Sequence, residues 1–398
     1  MLSKVANERR CDMYLFSKIL FYVSLFIIFW AMVGYPISLR IIKLMYRERR
    51  LIKDYSYIPT VTVLVVAHNE EKVIWDKMVN ITRLDYPKEK IEFLISSDNS
   101  TDKTDELVEK FIRQNPEYRI RLYKVRERRG KTNAQNEAQK TVKSEILVMT
   151  DANSMLEKNA VRELVAAFTS DDISYVCGRL VFTNHNANDV ARTEKLYWDT
   201  DTKLREIESN IQTITAGNGA IYACRNAEYH DFDPINSHDI DMPRFFALKN
   251  KRAIFNPDAI AYEKASENIK DEFKRKCRMN RAIIKNILPD IQVLNIYKYR
   301  WFPYFYFGHR TCRYLLWISH LILFISNIFL LNSWFFMFTF VSQIIFYILA
   351  LIGWITNSNR FLKLIFYYCM TIIAQWVGVY KILIGQSKPF WEKAQSTR

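Results

Sequence analysis

The order of parts constrains this chain more than any single residue: one apolar span, a long polar stretch with acids spaced along it, then more apolar spans. Residues 19–37 are almost wholly apolar and long enough to cross a bilayer core. Further apolar stretches cover residues 314–330, 334–354 and 361–384. Arg40, Lys43, Arg47, Arg49 and Arg50 follow the first span and outweigh Lys4, Arg9, Arg10 and Lys18 before it. The positive-inside rule then expects the N-terminal residues outside and the polar stretch in the cytoplasm. No small-residue cleavage site follows the span, so it is expected to be an anchor and not a removable signal. The loop 331–333 is uncharged and is expected outside; the loop 357–363, with Arg360 and Lys363, is expected inside. Four crossings would leave the last residues outside, where Lys388, Lys393 and Arg398 run against the rule.

The formal net charge of +15 fits nucleic acid, anionic lipid or an acidic substrate. Apolar spans favour lipid: basic residues beside them face anionic headgroups. A nucleic-acid binder would explain the charge and leave the spans unexplained, so no nucleic-acid partner is expected. The six cysteines are scattered, with no short paired spacing, which argues against a zinc site and a disulfide framework. The spans carry almost no charge of their own, which weighs against a transporter.

Within the polar stretch, residues 61–67 (VTVLVVA) are a short, β-branched, continuous apolar run, the pattern of a buried parallel strand. Residues 91–96, 119–124 and 146–150 repeat it, with helical patterns at 102–114 and 131–141 between them. Such alternation predicts an open α/β sheet, mostly parallel, with helices on both faces; ligands of such sheets bind at the carboxyl ends of the strands. Glu70, Asp98 and Asp151 lie at those ends. Beyond residue 170 the pattern is less regular. A strand is expected at 176–182, a long helix at 189–208, a Gly217-Asn218-Gly219 turn, a helix from about 242, and short edge strands at 253–256 and 259–262. Residues 269–288 are basic and amphipathic and suit a helix on a membrane surface.

Asp151-Ala152-Asn153 places two oxygen ligands on one side of an extended chain, because residues two apart share a face. Mg²⁺ or Mn²⁺ takes such ligands together with phosphate oxygens. Alone, this triplet reads more readily as a helix cap; acids at several strand ends shift the balance. Asp98, in a Ser/Asp/Asn loop, suits a nucleotide base or ribose, and Lys131 suits phosphate; singly these read as a turn residue and a solvated charge. Asp239 and Asp241 precede a helix, where a carboxylate serves as general base or as a cap. Arg275, Arg278 and Arg281 recur every three residues on one face, suited to phosphate or to lipid headgroups.

These residues together resemble family 2 glycosyltransferases, the inverting fold shared by cellulose, chitin and hyaluronan synthases. The likeness covers roughly residues 58–288, with membrane parts on both sides. Val66-Ala67-His68-Asn69-Glu70-Glu71 is similar to the family's opening strand and Asn-Glu turn. Ser97-Asp98-Asn99-Ser100-Thr101-Asp102 resembles the loop that holds the nucleotide base. Gly130-Lys131 with Asn133 and Asn136 resembles the segment beside the nucleotide, and Asp151-Ala152-Asn153 stands where the Asp-x-Asp metal motif belongs. Gly217-Asn218-Gly219 resembles the acceptor-side turn, and His238-Asp239 stands where the second acid is the catalytic base. His309-Arg310 with Arg313 resembles a basic pair before a membrane span. The chain departs from the pattern in three motifs. Asn153 replaces an acid, His238 replaces an acid, and the Gln-x-x-Arg-Trp motif of processive synthases keeps only its arginine, as Arg278.

The resemblance implies a glycosyltransferase-A type domain in the cytoplasm, inserted between transmembrane helices. Residues 1–57 would be span and linker, 58–268 the catalytic domain, 269–310 an interface segment and 311–398 the later spans. It further implies sugar transfer from a nucleotide-sugar to a glycan or lipid-linked hydroxyl at the cell membrane, in polysaccharide synthesis. Asp239 would be the base, and Glu70, Asp98, Lys131, Asp151 and Arg278 the donor-binding set. Gly217, Asn218, Gly219 and Asp241 would lie on the acceptor side, and Asp151 with Asn153 would hold Mg²⁺ or Mn²⁺. Transfer onto polyprenyl phosphate, or an inactive scaffold of an export complex, are the alternatives.

Overall fold

The computed structural model describes residues 2–46, 49–184, 189–356 and 360–390. Arg47, Lys393 and Arg398, counted above, lie outside them. The chain forms two compact units: residues 41–275, 290–305 and 386–398 make one, and 1–40, 276–289 and 306–385 the other. The stretch 269–310 is thus divided between them.

The first unit is built on one eight-stranded sheet. Its strands are β1 (Val61–Ala67), β2 (Ile91–Ser97), β3 (Ile120–Lys124), β4 (Ile146–Asp151), β5 (Met155–Leu156), β6 (Ile173–Phe182), β7 (Ile221–Arg225) and β8 (Arg252–Glu263). The order is β3-β2-β1-β4-β7-β6-β8-β5. The β1–β2, β2–β3 and β1–β4 pairs are parallel, as expected of β-branched runs joined by helices. β7 runs antiparallel to both β4 and β6. Alternate residues feed two cores. Val61, Val63 and Val65 pack with Ile74, Met78, Val108 and Phe111 on one face. Leu64, Leu94, Leu147 and Met149 pack with Ala138, Met242 and Phe246 on the other. The expected pair of edge strands is one strand, β8, seated inside the sheet between β6 and β5. Its pairing with β6 shifts register between Cys177 and Arg179, which absorbs the irregularity around Pro257.

Register sets the site. Ala67 lies opposite Ser97, and Asp151 opposite Val66, so β1, β2 and β4 end along one edge. Asn69 and Asn99 both adopt positive φ (53° each), a conformation asparagine tolerates, and turn the chain sharply there. Asn69 Oδ1 then accepts from Thr101 N–H at 2.7 Å, tying the two turns together.

Among the described residues, three helices are long and apolar enough to cross a membrane: Asp12–Met45, whose residues up to 40 belong to the second unit, and Trp334–Ile355 and Arg360–Leu383 within it. The first extends beyond both ends of the expected 19–37 span. The stretch expected as a span at 314–330 is part of a broken pair, Phe302–Tyr314 and Leu316–Ile328, bent by 63°. Two small residues allow close helix packing here. A Cβ on Gly308 would meet the Tyr35 ring at 2.1 Å, and one on Gly353 would meet Leu362 O at 2.3 Å.

Candidate active site

Three charged side chains from three elements converge beside Gly219. A Cβ added there would lie 2.8 Å from Lys131 Nζ, 3.3 Å from Asp151 Oδ2 and 3.8 Å from Asp239 Oδ2. Asp151 ends β4, Lys131 opens the helix Lys131–Gln139, and Asp239 lies in the first turn of the helix His238–Leu248. Lys131 Nζ is ion-paired with Asp151 Oδ1. Asn153, two residues on, is half-buried. Among the described residues no group of three or more His, Cys, Asp or Glu side chains forms a metal cage. An Asp-plus-Asn pair at a strand end is instead the oxygen set that suits a divalent cation shared with a phosphorylated ligand.

Asp98 is buried. Its carboxylate accepts from Arg129 N–H at 3.2 Å and Gly130 N–H at 2.9 Å. Burial pushes the carboxyl up, against the opposing pull of those two amides. The contact ties the end of β2 to the start of the Lys131 helix, where Gly130 takes a φ of 91° that side chains disfavour. Glu70 is buried at the end of β1, and its amide donates to Thr104 Oγ1 at 2.7 Å.

Asp239 is held from both ends. Ser237 Oγ donates to Asp239 Oδ1, and the Asp239 carbonyl accepts from Gly217 N–H at 2.6 Å. That carbonyl is available because Pro243, four residues on, has no N–H for it. The proline thereby couples Asp239 to the glycine turn. Gly217 itself is dictated by Tyr175, whose hydroxyl oxygen would lie 2.1 Å from a Cβ there. Asn218 is a buried strut: it donates to Gly178 O at 2.7 Å and accepts from Ala220 N–H at 3.1 Å. Of the three turn residues, Gly219 is the one at the charged convergence. Asp241 is buried, ion-paired with Arg244 at 2.7 Å, and accepts from Ser237 N–H at 3.3 Å.

The arginines separate. Arg275 is clamped between Glu194 (2.5 Å) and Glu272 (2.7 Å), both buried, so its fork is already engaged by carboxylates. Arg278 and Arg281 belong to the other compact unit.

His238, which stands where an acid was expected, packs into the protein. Its ring stacks on Tyr229 (5.2 Å between centroids), and Nε2 shares a hydrogen bond with Tyr229 Oη at 2.7 Å. Tyr229 in turn donates to Asn136 Oδ1 at 2.9 Å, so Asn136 braces this cluster. Burial, helped by Lys131, pushes the His238 pKa down to about 3. An unfolded imidazole titrates near 6.5 and the folded one near 3, so below 6.5 the unfolded chain binds the extra proton. Stability is therefore lost as pH falls from 6.5, approaching about 1.4 kcal/mol per pH unit. Melting in detergent from pH 8 to pH 5 should show this decline, and His238→Gln should flatten it. An equally steep decline in the variant would assign the effect to other groups.

Two contributors were missed in the sequence. Pro243 is one. Lys77 is the other: fully buried, it donates to Thr150 Oγ1 at 3.0 Å and to Ser154 O, gripping the turn that carries Asp151 and Asn153. Burial pushes its pKa down to about 7. Its signal was visible: Lys77 shares a helix face with Ile74, Met78 and Ile81, all in the core.

Comparison with known proteins fits this geometry. Two family profiles match: Glycosyl transferase family 2 over residues 62–228 and Glycosyl transferase family group 2 over residues 146–374. A probable glycosyltransferase of Bacillus subtilis is 31% identical over 160 residues, 38% of each chain. A β-monoglucosyldiacylglycerol synthase of Synechocystis is 30% identical over 166 residues, 40% of this chain and 34% of that one. A poly-β-1,6-N-acetyl-D-glucosamine synthase of Staphylococcus epidermidis is 27% identical over 157 residues, 39% of this chain and 37% of that one. The matches thus span under two fifths of these relatives' lengths. Among solved structures, a mannosyltransferase from Pyrobaculum calidifontis, in complex with GDP-Man and Mn²⁺, superposes with a TM-score of 0.68 at 20% identity. The superposition covers 94% of this chain and 99% of that one and establishes a shared fold.

Proposed function

The chain belongs to glycosyltransferase family 2, and from that premise we propose that it transfers a sugar from a nucleotide-sugar to a hydroxyl acceptor, glycan or lipid-linked, with inversion at the anomeric carbon. The observation that carries this reading is the convergence of Lys131, Asp151 and Asp239 beside Gly219. Asp239 takes the proton of the acceptor hydroxyl as its oxygen attacks the anomeric carbon. Ser237 and the Gly217 amide fix the carboxylate and its backbone for that role. Asp98 and Glu70 bind the nucleoside end of the donor, and Lys131 pairs with the diphosphate. Asp151 and Asn153 would hold Mg²⁺ or Mn²⁺, which would supply positive charge against the departing nucleoside diphosphate.

The remaining roles rest on the family pattern and on the contacts that each residue makes. Arg278 is assigned to the diphosphate from the family pattern, and Arg275 is not, since two carboxylates hold it. Asp241 and Asn218 shape the acceptor side by bracing the helix start and the turn. The long apolar helices support a reaction at a membrane, and the basic residues after the first span support a cytoplasmic sheet-bearing unit. Relatives named for glycolipid and for exopolysaccharide synthesis support both kinds of acceptor; polysaccharide synthesis is the reading kept from the sequence. Single displacement from an α-linked nucleotide-sugar must give a β-linked product. NMR of the isolated product is the test: a β-anomeric linkage is expected, and an α-linkage would overturn the in-line role of Asp239.

A further inference from the structure

Beyond the last apolar helix the chain returns to the sheet-bearing unit. Residues 386–390 belong to that unit, although the helix Arg360–Leu383 before them belongs to the other. The return is tight. A Cβ on Gly130 would lie 2.5 Å from Pro389 O, 2.9 Å from Pro389 C and 3.4 Å from Phe390 N, so glycine is needed there for contact as well as for φ. The Arg128 guanidinium lies over the Phe390 ring, 4.9 Å from its centroid, and Lys388 Nζ lies 5.9 Å from the same centroid.

These contacts fall on one short run, 128–130, whose Arg129 and Gly130 amides hold the buried Asp98 carboxylate. Lys131, the next residue, reaches Asp151. We propose that residues 386–390 form a wall of the donor site, with Phe390, backed by Arg128, supplying an apolar and polarisable surface at the nucleoside end. The proposal rests on the reading of Asp98 and Lys131 as donor-binding residues. A flat aromatic side chain beside a carboxylate suits a nucleobase, which stacks on π-faces without regard to its edge pattern. Lys388 adds positive charge on the same segment, favouring the anionic donor over a neutral sugar.

The test uses the full chain in lipid nanodiscs with Mn²⁺, titrated calorimetrically with UDP and with GDP. For whichever nucleotide the unaltered protein binds, Phe390→Ala should weaken binding roughly tenfold. Phe390→Trp should restore it, and the melting temperature of all three proteins should agree. Unchanged or tighter binding in Phe390→Ala and in a chain ended after Gly385 would overturn the proposal while leaving the donor reading intact. Failure of the unaltered protein to bind either nucleotide would overturn both. In sealed vesicles, a cysteine at Ser387 should label from the same side as one at the exposed Glu127; labelling from opposite sides would also overturn the proposal.

Discussion

Asp239→Asn is expected to lower sugar transfer by about 10³-fold or more, the scale of losing a positioned base. The amide keeps the shape of the carboxylate and can still accept from Ser237, and the carbonyl that receives the Gly217 amide is untouched. Nucleoside diphosphate affinity should therefore stay within about twofold, because the proposed donor set of Asp98, Lys131 and Asp151 does not include Asp239. Steady-state transfer and nucleotide calorimetry on the same preparation check both halves. Transfer near the unaltered rate would remove Asp239 as the base. Loss of nucleotide binding in step with activity would make it a structural residue.

Asp151→Asn should be comparably severe and differ in kind. Its carboxylate is ion-paired with Lys131, and in the proposed reading it forms with Asn153 a cation site that has one charge fewer than a pair of acids. Removing the remaining charge leaves two neutral amides, a poor match for a hard divalent cation. Transfer should fall by at least about 10²-fold, the scale of losing charge stabilisation on a leaving group. The Mn²⁺ concentration for half-maximal activity should rise, and part of the lost rate should return at high Mn²⁺. A variant with an unchanged metal dependence would show that the cation binds elsewhere. Asn153→Asp supplies the converse, because restoring the second acid should shift half-saturation to lower Mn²⁺.

Much of this site was legible because its carriers are strands with a strong local signal. The runs ending at Ala67, Ser97 and Asp151 are β-branched and continuous, and parallel pairing brings their ends to one edge. Acids placed just past such runs must cluster, whatever the details of the fold. What could not be read was pairing at a distance. Arg275 looked like a phosphate ligand on a basic face until Glu194, far back in the chain, was seen to engage it. Asp241 and Arg244, three apart on a helix, carried a local signal for their ion pair that the acceptor-side reading passed over. Gly217 owes its identity to the Tyr175 hydroxyl, a contact made only when β6 comes alongside β7. β8 looked like two fragments because Pro257 interrupts the apolar pattern; tertiary pairing with β6 carries the strand through it. Hydropathy marks 314–330 as apolar enough for a span and carries no signal for the 63° bend between Phe302–Tyr314 and Leu316–Ile328.

The account stands or falls on donor chemistry at the Lys131–Asp151–Asp239 convergence. The most direct measurement is release of nucleoside diphosphate by the purified protein in lipid, across a panel of nucleotide-sugars, with Mn²⁺ or Mg²⁺ and with EDTA. The unaltered protein and Asp239→Asn should be run side by side with membrane lipid and glycan acceptors present. The account predicts release from one donor class, abolished by EDTA and nearly abolished in Asp239→Asn. Release that persists in EDTA, or that is equal in the two proteins, would contradict it.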